Sequence, residues 1–421
     1  MSGILQIAVL VSYFMLPLQA SAGKNDDIYV MPVAVGELKI MGFNVENLFD
    51  TKHDAGKNDY EFLPINSSYK QYCNRTAEAP ADSSDADTVV LPITFKEISL
   101  KDALSLESVV GTQSQPKPKP SRYPCAEIDW TPSRLAAKLK QIKAVVDAQG
   151  TLPDVLTLNE VENPNVVEML RKTLGYDGFA MTTSPDARGI DNAVMYRTYR
   201  MTPVQFIERE VVGMPYATRN LSAAIFKLKP ALGGGFLAVL PNHLPSQAGN
   251  GSGAARLLVA NQLRKLVAEV KQTYAGQEIS FVLTGDFNTL ESESPNPIND
   301  VILNPSWPEV NEKGFLFYDT EDIARANKNA YLKLMPPATY YYAKQNAWNR
   351  FDRIFVDSSL MDEQGLEIDP DSYRIHAPEF LTKTLKNSEV VPRKYNHDTD
   401  DVEKMGYSDH FAVIVKLKTM K

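Results

Sequence analysis

At 421 residues the chain can hold one large α/β domain or two ordinary ones, and its 43% hydrophobic and 23% charged residues are those of a soluble globular protein. Its formal charge of −8 argues against a stoichiometric nucleic-acid coat, which would be basic. It leaves room for a hydrolase that meets a polyanion through a divalent metal and a few arginines in its cleft.

Residues 1–22 read as a secretory signal peptide. Ile4 to Leu18 is an apolar run closed by the small-x-small pattern Ala20-Ser21-Ala22, although no Lys or Arg precedes it. The run is too short for a convincing membrane span, and no stable membrane association is expected. Residues 23–36 read as a spacer, and 37–419 as one domain. Glu37 to Phe43 is a strand of mixed apolar pattern that runs into Asn44-Val45-Glu46-Asn47. Residues 66–126 are rich in Ser, Ala, Asp and Pro and read as a looped-out insertion. Cys73 and Cys125 bracket this stretch, and in an exported chain they allow one disulfide.

Thr131-Pro132-Ser133 opens a helix, with Leu135, Leu139, Ile142 and Val146 on one face. Asp154 to Leu158 is a buried strand ending at Asn159-Glu160, and Asn192 to Tyr196 is another. Leu221 to Leu228 and Phe236 to Leu240 form a hairpin across Gly233-Gly234-Gly235. Ala254 to Tyr274 is a long helix. Ile279 to Thr284 is an apolar strand ending in Gly285-Asp286-Phe287-Asn288, and Asp352 to Val356 and Phe411 to Leu417 are the last clear strands. Hairpin pairs mixed with few helices suit stacked mixed sheets with helices outside.

The unusual polar residues fall just beyond apolar strands. Asn44, Glu160, Asn242-His243 and Asp286 with Asn288 each follow a strand, and Asp409-His410 precede the last one. One such residue is ordinarily a turn or cap. Five sites of complementary chemistry suggest a cleft assembled at one rim of a sheet. Oxygen donors without a Cys/His cluster favour Mg²⁺, with Mn²⁺ or Ca²⁺ as alternatives. Phosphate-ester hydrolysis needs neutralised phosphoryl oxygens, an aimed water and help for the leaving oxygen, which such a set supplies. Gly-x-Ser-x-Gly, the P-loop and His-Glu-x-x-His are all absent.

Gly42-Phe43-Asn44-Val45-Glu46-Asn47-Leu48-Phe49-Asp50, Leu158-Asn159-Glu160-Val161-Glu162-Asn163, Asn242-His243-Leu244, Gly285-Asp286-Phe287-Asn288 and Ser408-Asp409-His410 occur in the order found in the endonuclease/exonuclease/phosphatase superfamily. The chain resembles the exported bacterial nuclease-like branch of that superfamily. Asp186-Ala187-Arg188-Gly189-Ile190-Asp191 and Ala338-Thr339-Tyr340 ahead of Arg350-Phe351-Asp352 also fit that branch. The resemblance implies a four-layer α/β sandwich in which Asn44, Glu160 and Asp409 hold a divalent metal. It implies that Asp286 orients or activates the attacking water with Asn288 beside it, and that His243 meets the phosphate or leaving oxygen. His410 would contact the phosphate, oriented by Asp352. Arg188, Asn192 and Arg219 are expected as substrate contacts. Two departures stand out: Pro241-Asn242 before His243, where the proline is expected to alter the strand end, and the insertion after Asp50.

The expected protein is therefore a secreted or periplasmic, monomeric metal-dependent phosphodiesterase acting on DNA, with RNA as a second nucleic-acid substrate. A phosphatase or phospholipase C-like diesterase of lipid or inositol phosphates is the alternative within the same fold, and an inactive binding protein the alternative outside it.

Overall fold

The computed structural model describes residues 26–73, 125–247, 252–307, 316–397, 399 and 401–420. The expected signal peptide and residues 74–124 of the expected insertion lie outside the described residues.

In chain order the main elements are β1 (Glu37–Leu48), α1 (Pro132–Asp147), β2 (Val155–Val161), α2 (Pro164–Leu174), β3 (Gly178–Met181), β4 (Asp191–Tyr196), β5 (Met201–Arg209), β6 (Leu221–Leu228) and β7 (Phe236–His243). Then come α3 (Gly253–Thr273), β8 (Ile279–Asp286), β9 (Phe317–Asp319), α4 (Thr320–Ala326), β10 (Tyr340–Tyr342), β11 (Ala347–Asn349) and β12 (Asp352–Asp357). The chain closes with β13 (Leu366–Ile368), β14 (Arg374–His376), β15 (Thr382–Thr384), β16 (Val390–Pro392) and β17 (Ala412–Thr419).

The strands form two large mixed sheets. One has the order β13-β17-β1-β2-β4-β3, with β14 also on β17; the other has the order β5-β6-β7-β8-β12-β9. The second sheet shows the period of two that a strand imposes on its side chains. Phe226, Leu237, Val239, Val282 and Ile354 belong to the core shared with the first sheet. Their neighbours Ile225, Ala238, Leu240, Phe281 and Phe355 belong to a second core with α3. The first sheet carries α1 and α2 on its other face through Leu135, Ile142, Val166 and Leu170. The result is the helix, sheet, sheet, helix sandwich that the sequence suggested.

Local chemistry fixes the helix ends. Thr131 caps α1 by accepting from Arg134 N at 3.2 Å, with Pro132 in the first turn. Asn163 caps α2, which ends at left-handed Gly175. No helix is expected after Asn163 from the sequence, so α2 is an addition. So is β5, whose mixed polarity and Pro203, beside a register shift, are those of an edge strand.

Two expectations change. The spacer is not free, because Tyr29 and Met31 are buried in the main core and Met31 N donates to Gln149 O at 2.9 Å. Pro241 does not disturb its strand: β6 pairs β7 no further than Val239, while the β7–β8 register runs on to His243 and Asp286. The insertion is pinned at its base, since Cys73 and Cys125 form a disulfide with Cα atoms 5.3 Å apart.

Candidate active site

The strand register gathers the polar residues into two facing rows. In the first sheet, Asn44 of β1 pairs Asn159 of β2, which pairs Asn192 of β4. In the second, His243 of β7 pairs Asp286 of β8, which pairs Asp352 of β12. Parallel pairing of β1 with β2 and of β7 with β8 puts four of these residues in the C-terminal halves of their strands, with His243 and Asp286 the last residues of theirs. Asn192 and Asp352 begin antiparallel neighbours, so all six share one rim. Hydrogen bonds tie the rows together. Asn44 Nδ2 donates to Asp286 Oδ2 at 3.2 Å, and Asp286 N donates to Asn159 Oδ1 at 3.2 Å.

Both strands of the first sheet bulge at this level. The register shifts between Asn44 and Leu48 in β1 and between Asn159 and Val161 in β2. Glu46 at φ 52° and Glu160 at φ 62° occupy the left-handed region there. A bulge re-aims a side chain that the regular pleat would send to a sheet face. Here both carboxylates line a cleft of about 450 Å³, together with His243, Asp286 and Asn288. Arg188, Tyr340, Lys394, Asp409 and His410 complete the part of the wall that bears on chemistry.

Asp286 Oδ2 sits between the imidazoles, 3.7 Å from His243 Nε2 and 3.8 Å from His410 Nε2. Its other oxygen accepts from Asn288 N at 2.8 Å. Burial pushes the Asp286 carboxyl up to about 7; His410 pulls against this, and Asp352 and Glu160 add to it. The two histidines are held in opposite states. Burial would depress His410, but the Asp352 and Asp286 carboxylates outweigh it and hold the ring well above the ordinary range. Its Nδ1 lies 2.7 Å from Asp352 Oδ2, which turns Nε2 to the cleft. His243 is driven well below the ordinary range by burial, then by Arg219, Arg188 and His410. Its Nδ1 has no partner among the described residues.

The donor set suits a hard divalent ion. Glu160 Oε1 stands 3.8 Å from His243 Nε2, beyond hydrogen-bond reach, and Asp409 Oδ1 stands 3.9 Å from His410 Nε2. Among the described residues no three His, Cys, Asp or Glu side chains close into a cage. Mg²⁺ takes one or two carboxylates and completes its shell with water and substrate oxygens, so a site of this openness fits it.

A sequence model described as the Endonuclease/Exonuclease/phosphatase family matches residues 103–419, which is most of the chain. The chain belongs to this family. Its coarse activity is that of a phosphoesterase of the endonuclease/exonuclease/phosphatase superfamily. No curated protein sequence matches it. Similar solved structures include a humanized D. rerio TDP2, at 18% identity and TM-score 0.45, covering 69% of this chain and 94% of that one. An endonuclease/exonuclease/phosphatase from Bacteroides vulgatus is 14% identical at TM-score 0.45, covering 68% and 91%. A mannosyl-6-phosphatase from Bacteroides thetaiotaomicron is 18% identical at TM-score 0.43, covering 67% and 91%.

Within this family member, the expected residues fall into two groups. Glu160, His243, Asp286, Asn288, Asp409, His410 and Arg188 line the cleft. Asn44, Asn192, Asp352 and Arg219 are not among its lining residues and stand behind it. Asn44 differs most from its expected role as a metal ligand: its Oδ1 accepts from Glu46 N at 3.0 Å while its Nδ2 serves Asp286. Asn192 Oδ1 accepts from Asn159 Nδ2 at 2.7 Å inside the first sheet. Arg219 is neither a substrate contact nor a surface ion pair. It is buried, donates to His243 O at 2.9 Å and Leu244 O at 2.8 Å, and pairs Asp186 Oδ2 at 3.1 Å. It therefore braces the strand end that carries His243. Arg188 is half-exposed over the same Asp186, 3.5 Å away.

Sequence reasoning gave no role to Asn159, Glu46, Tyr340 or Lys394. Tyr340 stacks on Phe351 with ring centroids 5.2 Å apart and lies 4.8 Å from the His410 ring, so it walls the imidazole on its open side. Its signal was present in Ala338-Thr339-Tyr340. Lys394 lies in a loop and had none.

Proposed function

We propose that this phosphoesterase is an exported, metal-dependent phosphodiesterase that hydrolyses nucleic acid, with DNA as the first substrate to test. The observation that carries the reading is the convergence of His243 Nε2 and His410 Nε2 on one buried oxygen of Asp286. In-line attack of water on a phosphodiester needs one group on the incoming oxygen, one on the phosphoryl oxygens and one on the leaving oxygen. Asp286 accepts the proton of the attacking water. His410, held by Asp352, presents Nε2 to a phosphoryl oxygen, and His243 presents Nε2 to the leaving oxygen. Glu160 and Asp409 would hold the divalent ion, taken as Mg²⁺, which when bound neutralises charge on the phosphoryl oxygens. Asn44, Asn159 and Arg219 hold these groups in register.

Support for a polymeric substrate comes from beside the cleft. A groove of about 630 Å³ continues from it past Arg188, Tyr342, Lys344 and Lys383. Basic and aromatic side chains along a continuous channel suit a strand whose phosphates need countercharge and whose bases offer flat faces. Support for export comes from the N-terminal apolar run and from the disulfide, since such bonds persist in oxidising compartments. No helix among the described residues is long and apolar enough to cross a membrane.

One panel tests the reading: duplex DNA, single-stranded DNA, RNA, sphingomyelin and a simple phosphomonoester, each with Mg²⁺, Mn²⁺, Ca²⁺ or EDTA. Nucleic-acid cleavage is expected with Mg²⁺, and none with EDTA or in His243→Ala or His410→Ala. Product from lipid or monoester alone overturns the nuclease reading. Full activity in EDTA overturns the metal dependence.

A further inference from the structure

Lys394 reaches into the cleft from the loop that follows β16 and meets two acids at once. Its Nζ is 2.6 Å from Glu46 Oε1 and 2.9 Å from Asp409 Oδ2. The contact is built rather than incidental. The next residue donates its backbone N to Glu46 Oε2 at 2.9 Å, so side chain and main chain of one loop clamp the same carboxylate. That loop is pinned in turn. Tyr407 N donates to Arg393 O at 2.7 Å and Asn396 N to Met405 O at 2.6 Å. At Gly406 a Cβ would stand 2.1 Å from Lys394 O, so the two loops approach as closely as glycine allows. The second loop leads straight into Ser408-Asp409-His410, and Ser408 Oγ ties it to Asn44 O at 2.7 Å. Lys394 and Asp409 are thus fixed relative to each other by the backbone.

We propose that Lys394 is a tethered cation of the active cleft: its ammonium holds the Glu46–Asp409 pair and limits the cleft to one divalent ion, bound on the Glu160 side. This rests on the metal-dependent reading given above. Two-metal hydrolases place their ions on shared carboxylates a few ångströms apart. The cleft of this chain carries acids enough for that arrangement in Glu46, Glu160, Asp286 and Asp409. An ion on Glu46 Oε1 would sit within about 5 Å of the ammonium, given metal–oxygen distances near 2.1 Å. It would compete with that ammonium for the same oxygens and be repelled by it. Lys394 leaves Asp409 Oδ1 and the Glu160 carboxylate to the single ion. A lysine is also permanent where a second ion would come and go, so Asp409 stays placed when the divalent ion leaves.

The test counts ions rather than turnover. Mn²⁺ binding is measured by equilibrium dialysis and by the paramagnetic resonance of free Mn²⁺, on the full chain, with circular dichroism as a check of folding. Wild type and Lys394→Arg are expected to bind one Mn²⁺, and Lys394→Met two. A Lys394→Met variant that folds and binds only as many as wild type overturns the proposal. Glu46→Gln supplies an independent arm and decides the matter if Lys394→Met does not fold. With the lysine present Glu46 is not a ligand, so Glu46→Gln keeps the wild-type count, and loss of the ion overturns the proposal. Wild type binding no Mn²⁺ while Lys394→Met binds one overturns the metal-dependent reading, and with it the one-ion limit that rests on it, whereas equal counts of one in both proteins overturn the one-ion limit alone. No binding in either sinks both.

Discussion

Asn159 Oδ1, in one sheet, accepts a hydrogen bond from the backbone N of Asp286, in the other, at 3.2 Å. The same carboxamide donates through Nδ2 to Asn192 Oδ1 at 2.7 Å and to Asn242 O at 3.0 Å. One buried side chain therefore joins β2 to β4, β7 and β8 at the level of the cleft. Asn159→Ala leaves those buried groups unsatisfied, which costs about 1–3 kcal/mol each when water cannot reach them. It also frees Asp286 to shift relative to the histidines. The expected outcome is a kcat lower by about 10-fold or more, with stability down by about 3 kcal/mol or more in urea denaturation. A variant that loses stability but keeps kcat would show that Asn159 only fastens the sheets.

Gly285 stands beside this bond at φ 126°, a conformation that L side chains rarely adopt. A Cβ there would meet Asn242 O at 2.1 Å and Asn159 Oδ1 at 3.0 Å. Neither atom can yield without breaking the inter-sheet bonds. Gly285→Ala is expected to destabilise by about 3 kcal/mol or more, combining backbone strain with a steric clash. Gly276, at φ 80° with nothing within 4 Å of its Cβ position, supplies the comparison. Gly276→Ala is expected to cost only about 1 kcal/mol, from backbone conformation alone. Equal urea midpoints for the two variants would remove the clash from the account.

The Asp352 Oδ2 to His410 Nδ1 contact at 2.7 Å fixes which ring nitrogen faces substrate. Asp352 is buried and its Oδ1 has no partner among the described residues, so the carboxylate is given over to the imidazole. Asp352→Asn keeps the shape and loses the charge that holds the ring. A fall in kcat of about 100-fold or more is expected, with a much smaller change in KM, because the group acts on the reacting centre rather than on uniform binding. A change confined to KM would place Asp352 outside the chemistry.

The cleft was legible in the sequence wherever a side chain sat at the end of an apolar strand. Glu160, His243, Asp286, Asp409 and His410 all announce themselves that way, because strand ends of both sheets reach one rim. Asp352 came only through family resemblance, since nothing near it in sequence shows that it lies behind His410. Glu46 was in plain view within Asn44-Val45-Glu46-Asn47, yet strict alternation gives no reason to choose it over Asn44. The bulge that turns it into the cleft is a tertiary event. Arg219 was expected at the substrate because of its charge, whereas carbonyls of the His243 strand end and Asp186 bury it. The three-residue strands β9 to β11 and β13 to β16 are too short to carry a periodic signal, and only their partners define them.

Far from the cleft, His376 makes stability depend on acidity in a direction that can be worked out. Its Nε2–H donates to Val145 O at 2.9 Å and the Tyr29 ring packs perpendicular to it with centroids 5.4 Å apart, while Nδ1 has no partner among the described residues. Burial lowers its pKa to about 4; the Val145 carbonyl pulls the other way, and Lys39 adds to the lowering. Between the unfolded value of about 6.5 and that folded value, the unfolded chain binds a proton that the folded chain refuses. The contribution is therefore fully present above about pH 6.5 and is lost as pH falls toward 4, by about 3 kcal/mol over the whole window. His376→Gln keeps an N–H for Val145 O and removes the titration. Its unfolding free energy is expected to drop less than that of wild type between pH 7.5 and 4.5, by about 2–3 kcal/mol. Parallel losses in the two proteins over that range would assign the acid sensitivity to other groups.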